Sequence, residues 1–151
     1  MATDASGHVE HAAPDRERGH RQIQCVAVTP ERTVLDETVD FVALPLYDGE
    51  LGVMPGRSPL IARLGFGELR TRAGGATQRY FIDGGFAQVR DNVVTILTNR
   101  AIPLPELNPH NVSHELEQAR ARRAVTDFEY NEKTKAIARA RAQLRMAPHK
   151  A

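Results

Sequence analysis

The fold turns on Gly49-Glu50-Leu51-Gly52-Val53-Met54-Pro55-Gly56-Arg57-Ser58-Pro59-Leu60, which packs three glycines and two prolines into a dozen residues. Glycine reaches positive φ freely and proline fixes φ at about −65°, so this run cannot propagate a helix. Leu51, Val53 and Met54 read as a short apolar strand. Pro55 and Gly56 then suit the two central positions of a type II turn that ends it. Glu50 and Arg57 flank that strand with opposite charges. On composition alone, a bent surface loop accounts for the whole stretch.

Working outward, residues 22–101 keep a β texture, and no ten-residue window there has helical periodicity. Ile23–Val28 is one strand, and residues 33–46 hold two more runs around Asp36-Glu37. Residues 60–64 and 68–72 read as separate strands broken by Gly65 and Gly67. Gly74-Gly75 is a turn, and residues 78–83 form a strand that stops at Gly84-Gly85. Many short strands with glycine at the corners indicate a sandwich or a barrel. One hairpin can be registered. With Asp91-Asn92 as a two-residue turn, Ala87, Val89, Val94 and Ile96 share one face, and Gln88, Arg90 and Thr95 share the other. Shifting either strand by one residue would mix the two sets.

The chain has 151 residues, enough for one domain and an appendage. Its 20 basic and 19 acidic residues give no global drive towards nucleic acid, and the basic residues are not interleaved with aromatics. No apolar run approaches the length of a membrane span. Cys25 is the single cysteine, so there is no internal disulfide, which suits a reducing compartment. Residues 1–20 have only Met1 and Val9 as large apolar side chains and read as a disordered tail. The tail has no apolar core of a secretion signal, and its four acids argue against an organellar transit peptide. His8, His11 and His20 are too irregularly spaced to suggest a metal site.

Ile102-Pro103-Leu104-Pro105 reads as a breaker that separates the β region from a helical last third. Residues 112–147 contain no glycine or proline and are rich in strong helix formers. Thr126 and Glu129 have the spacing of a capping box, with Val125 and Tyr130 placed as a hydrophobic staple. The segment therefore divides into helices near 113–124 and 127–147. Tyr130, Ile137, Ala140, Leu144 and Ala147 form the stripe of the second helix, and Ala121, Ala124, Val125 and Phe128 offer a surface to meet it. Such alanine-rich contacts, at about 0.8 kcal/mol per buried CH2, hold a hairpin by only a few kcal/mol. The hairpin is then either a switch that detaches or a permanently docked appendage. Residues 107–151 carry a net charge of +4, whereas residues 21–106 carry −1. The expected fold is α+β: a disordered tail (1–20), an N-terminal antiparallel β-sandwich (21–103), a linker (104–112) and a C-terminal α-helical hairpin (113–147).

The motifs of P-loop, zinc-protease, paired-cysteine and serine-hydrolase sites are all absent. Asp48-Gly49-Glu50 and Asp83-Gly84-Gly85 place carboxylates beside glycine, but turns favour those residues for backbone reasons alone. The residues by themselves therefore lead to a binding or regulatory module, with an enzyme a distant alternative.

The quoted stretch closely resembles the G-E-x-G-x-x-P-G-x-x-P-L signature of the ε subunits of bacterial F-type ATP synthases. Gly84-Gly85-Phe86-Ala87-Gln88-Val89, followed by Asn92-Val93-Val94-Thr95-Ile96-Leu97, resembles that family's second signature. Leu116-Glu117-Gln118-Ala119-Arg120-Ala121 is similar to the [IL]-D-x-x-R-A motif that opens its C-terminal helices. The resemblance covers residues 21–147 and implies a non-catalytic rotor-stalk subunit, peripheral to the cytoplasmic face of the bacterial inner membrane. The sandwich would bind the γ subunit and the c-ring, coupling proton flow to rotation. Glu50 would face the c-ring loops, and the bend carrying Met54, Pro55, Gly56 and Arg57 would lie near γ. The hairpin would extend into the catalytic α/β hexamer and restrain ATP hydrolysis, with Arg139, Arg141 and Arg145 meeting an acidic loop of β.

Some relatives bind a regulatory ATP through the helical motif; here Glu117 replaces its aspartate and Arg120 is kept. Arg57 stands where the family usually has histidine. Residues between Ala121 and Asp127 are about ten fewer than in the family pattern, which shortens the first helix by roughly three turns. The alternative from another class is a stand-alone nucleotide-sensing sandwich.

Overall fold

The computed structural model describes residues 22–148; the expected tail over residues 1–20 lies outside them. Eight strands come first: β1 (Ile23–Val28), β2 (Thr33–Val39), β3 (Phe41–Leu46), β4 (Gly49–Val53), β5 (Leu60–Ala73), β6 (Ala76–Arg90), β7 (Val93–Leu97) and β8 (Ala101–Pro103). A 3-10 turn (Leu104–Glu106) leads to two helices, α1 (Pro109–Ala121) and α2 (Asp127–Met146). The strand order is β2-β1-β7-β6-β5-β3-β4, with β8 also on β6. All pairs are antiparallel except β1 with β7, which run parallel. The expected antiparallel sandwich thus contains one parallel seam.

The largest difference from the sequence reading concerns β5 and β6, which are 14 and 15 residues long and unbroken. Their register runs through the glycines, pairing Leu64 with Gly85 and Phe66 with Asp83. The glycines are points where the paired strands change face. Before the bend in β6, the even residues Tyr80 and Ile82 enter the main core; after it, the odd residues Ala87 and Val89 do. A regular strand alternates strictly, so this change requires unusual backbone, supplied by Gly84 at φ +66° and Gly85 at φ +105°. Gly65 and Gly67 serve close approach instead. A Cβ would lie 3.0 Å from the Leu46 carbonyl oxygen at Gly65, and 2.8 Å from Pro45 Cβ at Gly67. One long hairpin therefore contributes to both layers of the sandwich.

The registered hairpin is present as expected, with Arg90 opposite Val93, Val89 opposite Val94 and Ala87 opposite Ile96. Its two turn residues, Asp91 and Asn92, have φ of 51° and 62°. The break between β2 and β3 falls at Asp40, and Asp36-Glu37 lie within β2. Asp40 accepts a hydrogen bond from the Gly74 N–H at 3.1 Å and one from Gln22 at 3.2 Å. These bonds hold its carboxyl below the usual carboxylate range.

The breaker segment is more ordered than a linker. Ile102 and Pro103 pair with Phe81 and Tyr80. Asn108 caps α1 through the His110 N–H, with Pro109 in the first turn, so the helix starts at 109 and ends at 121, displaced from the expected 113–124. The capping box at Thr126 and Glu129 is present. The staple is not: Val125 and Tyr130 are both exposed, as is Phe128. Helix α1 meets α2 through Val112 and Leu116 against Ile137, Ala140 and Leu144. The expected contributions of Ala121, Val125 and Phe128 are absent because the chain leaves α1 at Ala121 and all three face solvent.

Candidate functional site

The opening stretch forms edge strand β4, bonded among the described residues only to β3, followed by the bend. Gly56 adopts φ +87°, as a type II turn needs, and its N–H donates to Asn92 Oδ1 at 2.7 Å. That bond ties the bend to the β6–β7 turn. Glu50 projects from β4 and pairs with Arg70 Nη2 at 2.8 Å. Met54 is largely exposed, Pro55 is half-buried, and Gly56 and Arg57 face solvent. The structure thus brings Met54, Pro55, Gly56 and Arg57 together on one bend, with Glu50 on the strand leading into it.

A surface not singled out from the sequence lies on the outer face of β5, β6, β7 and β1. Phe86 stands opposite Leu97, Ile61 opposite Gln88, and Val28 lies beside Leu97. Ile61, Phe86 and Leu97 are 76%, 57% and 54% exposed, and Val26 and Val28 are half-buried. An apolar sheet face of this kind marks an interaction site. The signal was present in the hairpin register, whose outer row was read as polar because Phe86 and Leu97 fell just beyond the registered pairs.

The hairpin lies against the sandwich. Ala142 and half-buried Met146 of α2, with Ala147 just past its end, pack with Phe81, Leu107, Phe66 and Ile102. Arg139 reaches down to Asp83, its Nε donating to Oδ1 at 2.9 Å, while Arg100 Nε donates to Oδ2 at 3.4 Å. Arg139 also stacks over Phe66, 5.3 Å from the ring centroid. Of the three expected interface arginines, Arg139 is therefore engaged internally, whereas Arg141 and Arg145 are exposed. Arg145 lines a groove of about 840 Å³ beside α2 with Tyr47, Arg63, Phe86 and Lys135. Glu117 and Arg120 are exposed, one turn apart on α1, and neither lines that groove or the shallower ones around Gly85 and Tyr80. Two solvent-facing side chains on one turn do not by themselves form a nucleotide pocket.

Among the described residues, no helix is long and apolar enough to cross a membrane, and no cluster of three or more His, Cys, Asp or Glu is placed to hold a metal.

Such a sandwich followed by a two-helix appendage has known counterparts. Residues 22–104 match the ATP synthase delta/epsilon chain beta-sandwich domain. The chain is 52% identical over 123 residues to the ATP synthase epsilon chain of Rhodopirellula baltica, covering 82% of this chain and 96% of the relative. It is 41% identical over 103 residues to that of Carboxydothermus hydrogenoformans, covering 68% and 77%. Among solved structures, it superposes with a TM-score of 0.71 and 26% identity on a chain of the Euglena gracilis mitochondrial ATP synthase OSCP/F1/c-ring structure, covering 94% and 88%. A chain of the Tetrahymena thermophila ATP synthase central stalk and c-ring shares the fold at a TM-score of 0.64 and 13% identity, covering 83% and 96%. The protein belongs to the ATP synthase epsilon chain family. A stand-alone nucleotide-sensing module is not favoured by relationships of this extent.

Proposed function

We infer that the chain is a central-stalk subunit of an F-type ATP synthase, coupling proton translocation to ATP synthesis without catalysis of its own. Its sandwich binds γ and the c-ring, and its hairpin restrains ATP hydrolysis by the α/β hexamer. It works peripherally, on the cytoplasmic face of the bacterial inner membrane. The observation that carries this reading is the 123-residue likeness to the Rhodopirellula baltica epsilon chain. That length exceeds everything up to Leu104, so it takes in part of the helical region as well as the sandwich.

The surfaces have the chemistry such a role needs. The exposed apolar face around Ile61, Phe86 and Leu97 is suited to γ, which would bury it from water. Glu50, on an edge strand and half-exposed beside Arg70, offers a carboxylate to basic c-ring loops. The bend at Met54 to Arg57 lies next to it. Arg139, Arg141 and Arg145 supply the charge for an acidic loop of β once the hairpin extends.

The test of the hairpin compares ATP hydrolysis by the assembled enzyme containing the full chain with enzyme containing a version ending at Pro105. Faster hydrolysis with the truncated chain supports restraint, and equal rates refute it. A regulatory ATP at Glu117 and Arg120 is a separate proposal, supported by the similarity of Leu116–Ala121 to the family's helical motif. Titrating the chain with ATP, with Arg120→Ala as control, decides it.

A further inference from the structure

The face change at Gly84-Gly85 has a second effect. It leaves the odd residues Phe81 and Asp83 of β6 outside the main core, on the side that receives α2. Asp83 is nevertheless only 3% exposed, because Arg139 and Arg100 close over it. A buried carboxylate is retained only when opposite charge and hydrogen bonds replace its water, and one of its two cations here comes from the hairpin. Arg139 is held on two sides at once, by the carboxylate and by the ring of Phe66, which is the register partner of Asp83.

The rest of the contact draws on few side chains of the hairpin. The α2 side contributes Ala142, Ala147 and half-buried Met146, so little apolar area is gained per residue. Gln143 is buried in the same stretch, and its Nε2 has no hydrogen-bond partner among the described residues, which costs the docked arrangement free energy. A small apolar contact with one uncompensated amide and one charge-assisted bond depends disproportionately on that bond.

We propose that the Asp83–Arg139 pair is a latch that holds the helical hairpin on the sandwich and withholds Arg139 from other acidic groups while it is closed. Lifting α2 opens Asp83 to water, so its carboxylate loses the guanidinium but regains hydration. The same movement frees Arg139 to pair with an acidic surface elsewhere. One arginine therefore serves two mutually exclusive contacts, and its occupancy at Asp83 sets how readily the hairpin leaves. Only the identity of the second contact, a loop of β, rests on the function proposed above.

The test uses the full chain alone, spin-labelled at Asp48→Cys and Glu132→Cys on exposed positions; Cys25 is fully buried and remains unlabelled. Pulsed dipolar spectroscopy of the parent should give a dominant short distance, the docked state, and a minor long one. Arg139→Gln and Asp83→Asn should each raise the long-distance population by about tenfold, the loss expected for a charge-assisted hydrogen bond. Gln143→Leu should lower it, and Arg141→Gln, which removes an exposed arginine, should leave it unchanged. Arg139 lies on the surface of α2, so Arg139→Gln remains informative even where Asp83→Asn fails to fold. The proposal is overturned by an unchanged distribution in Arg139→Gln, or by an equal opening in Arg141→Gln. Because the isolated chain is read, that failure would leave the stalk assignment standing, and a failure to bind γ would leave the latch standing.

Discussion

The backbone N–H of Gly56 donates to the side chain of Asn92, 2.7 Å away and 36 residues further along the chain. This bond joins the bend that follows β4 to the β6–β7 turn, two loops that look independent in sequence. Asn92 performs two tasks there, since it also holds φ at 62°. Asn92→Gly keeps the backbone conformation and loses the bond, and should cost about 1 kcal/mol. Asn92→Ala loses both and should cost about 2 kcal/mol, because alanine adds the penalty of a left-handed backbone. Urea unfolding of the two variants checks both costs; a purely conformational role for Asn92 would leave Asn92→Gly as stable as the parent.

The face change in β6 depends on Gly85 more than on any other glycine. A Cβ there would sit 1.9 Å from the Leu97 carbonyl oxygen, at a φ that L side chains rarely adopt. Gly85→Ala should therefore cost about 4 kcal/mol or more, or yield no folded protein. Gly74→Asn, in an open turn at φ +56°, should be tolerated within about 1 kcal/mol. Thermal unfolding of both variants measures the contrast.

Glu129 closes the capping box by accepting hydrogen bonds from the Val125 and Thr126 N–H groups, which lower its pKa. A carboxylate with a depressed folded pKa stabilises above its unfolded value and loses that contribution as pH falls through the folded one. Helicity of α2 should therefore fray on acidification below the ordinary glutamate range. Glu129→Gln should abolish that pH-dependent step. Far-UV circular dichroism from neutral pH downward follows it.

Cys25 lies at the centre of β1 with no exposed surface. Burial, with Glu37 adding a like charge, pushes its thiol up to about 12. A thiol reagent at pH 8 should leave the native protein unmodified and react fully after unfolding in guanidinium. Modification of the native protein at a comparable rate would show that β1 is not packed as described.

Local chemistry made much of this fold legible. The Asp91-Asn92 hairpin and the Thr126–Glu129 cap follow from rules acting over a few residues, and both are present. The strand assignments failed where a glycine had two meanings. Gly65, Gly67, Gly84 and Gly85 were read as strand ends because glycine punctuates strands, whereas here they let two long strands bend and approach their neighbours. Nothing local distinguishes the two uses; the partner that would clash with a side chain is distant in sequence. The same limit hides the parallel β1–β7 seam, whose register partners Cys25 and Val94 are 69 residues apart, and the Asp83–Arg139 pair, 56 residues apart.

The bend carrying Glu50 and Met54 to Arg57 was legible as a motif, but its anchor on Asn92 was not. In the sequence, Asp83 reads as a turn carboxylate. Its burial depends on α2 folding back over β6, which no spacing within the β region encodes. Charge alone singles out Arg139 in the sequence, and its geometry adds a second partner within the chain.

If the sandwich is a stalk subunit whose outer apolar face seats γ, as proposed above, charge placed on that face should disrupt the complex. The decisive measurement is co-purification of the tagged full chain with the γ subunit from the same organism, for the parent and for Phe86→Asp with Leu97→Asp. Both positions are exposed in the isolated chain, so the double variant should remain folded. The parent should form a stoichiometric complex, and binding should weaken at least about tenfold once two charges occupy that face. A folded parent chain that does not bind γ would contradict the proposal.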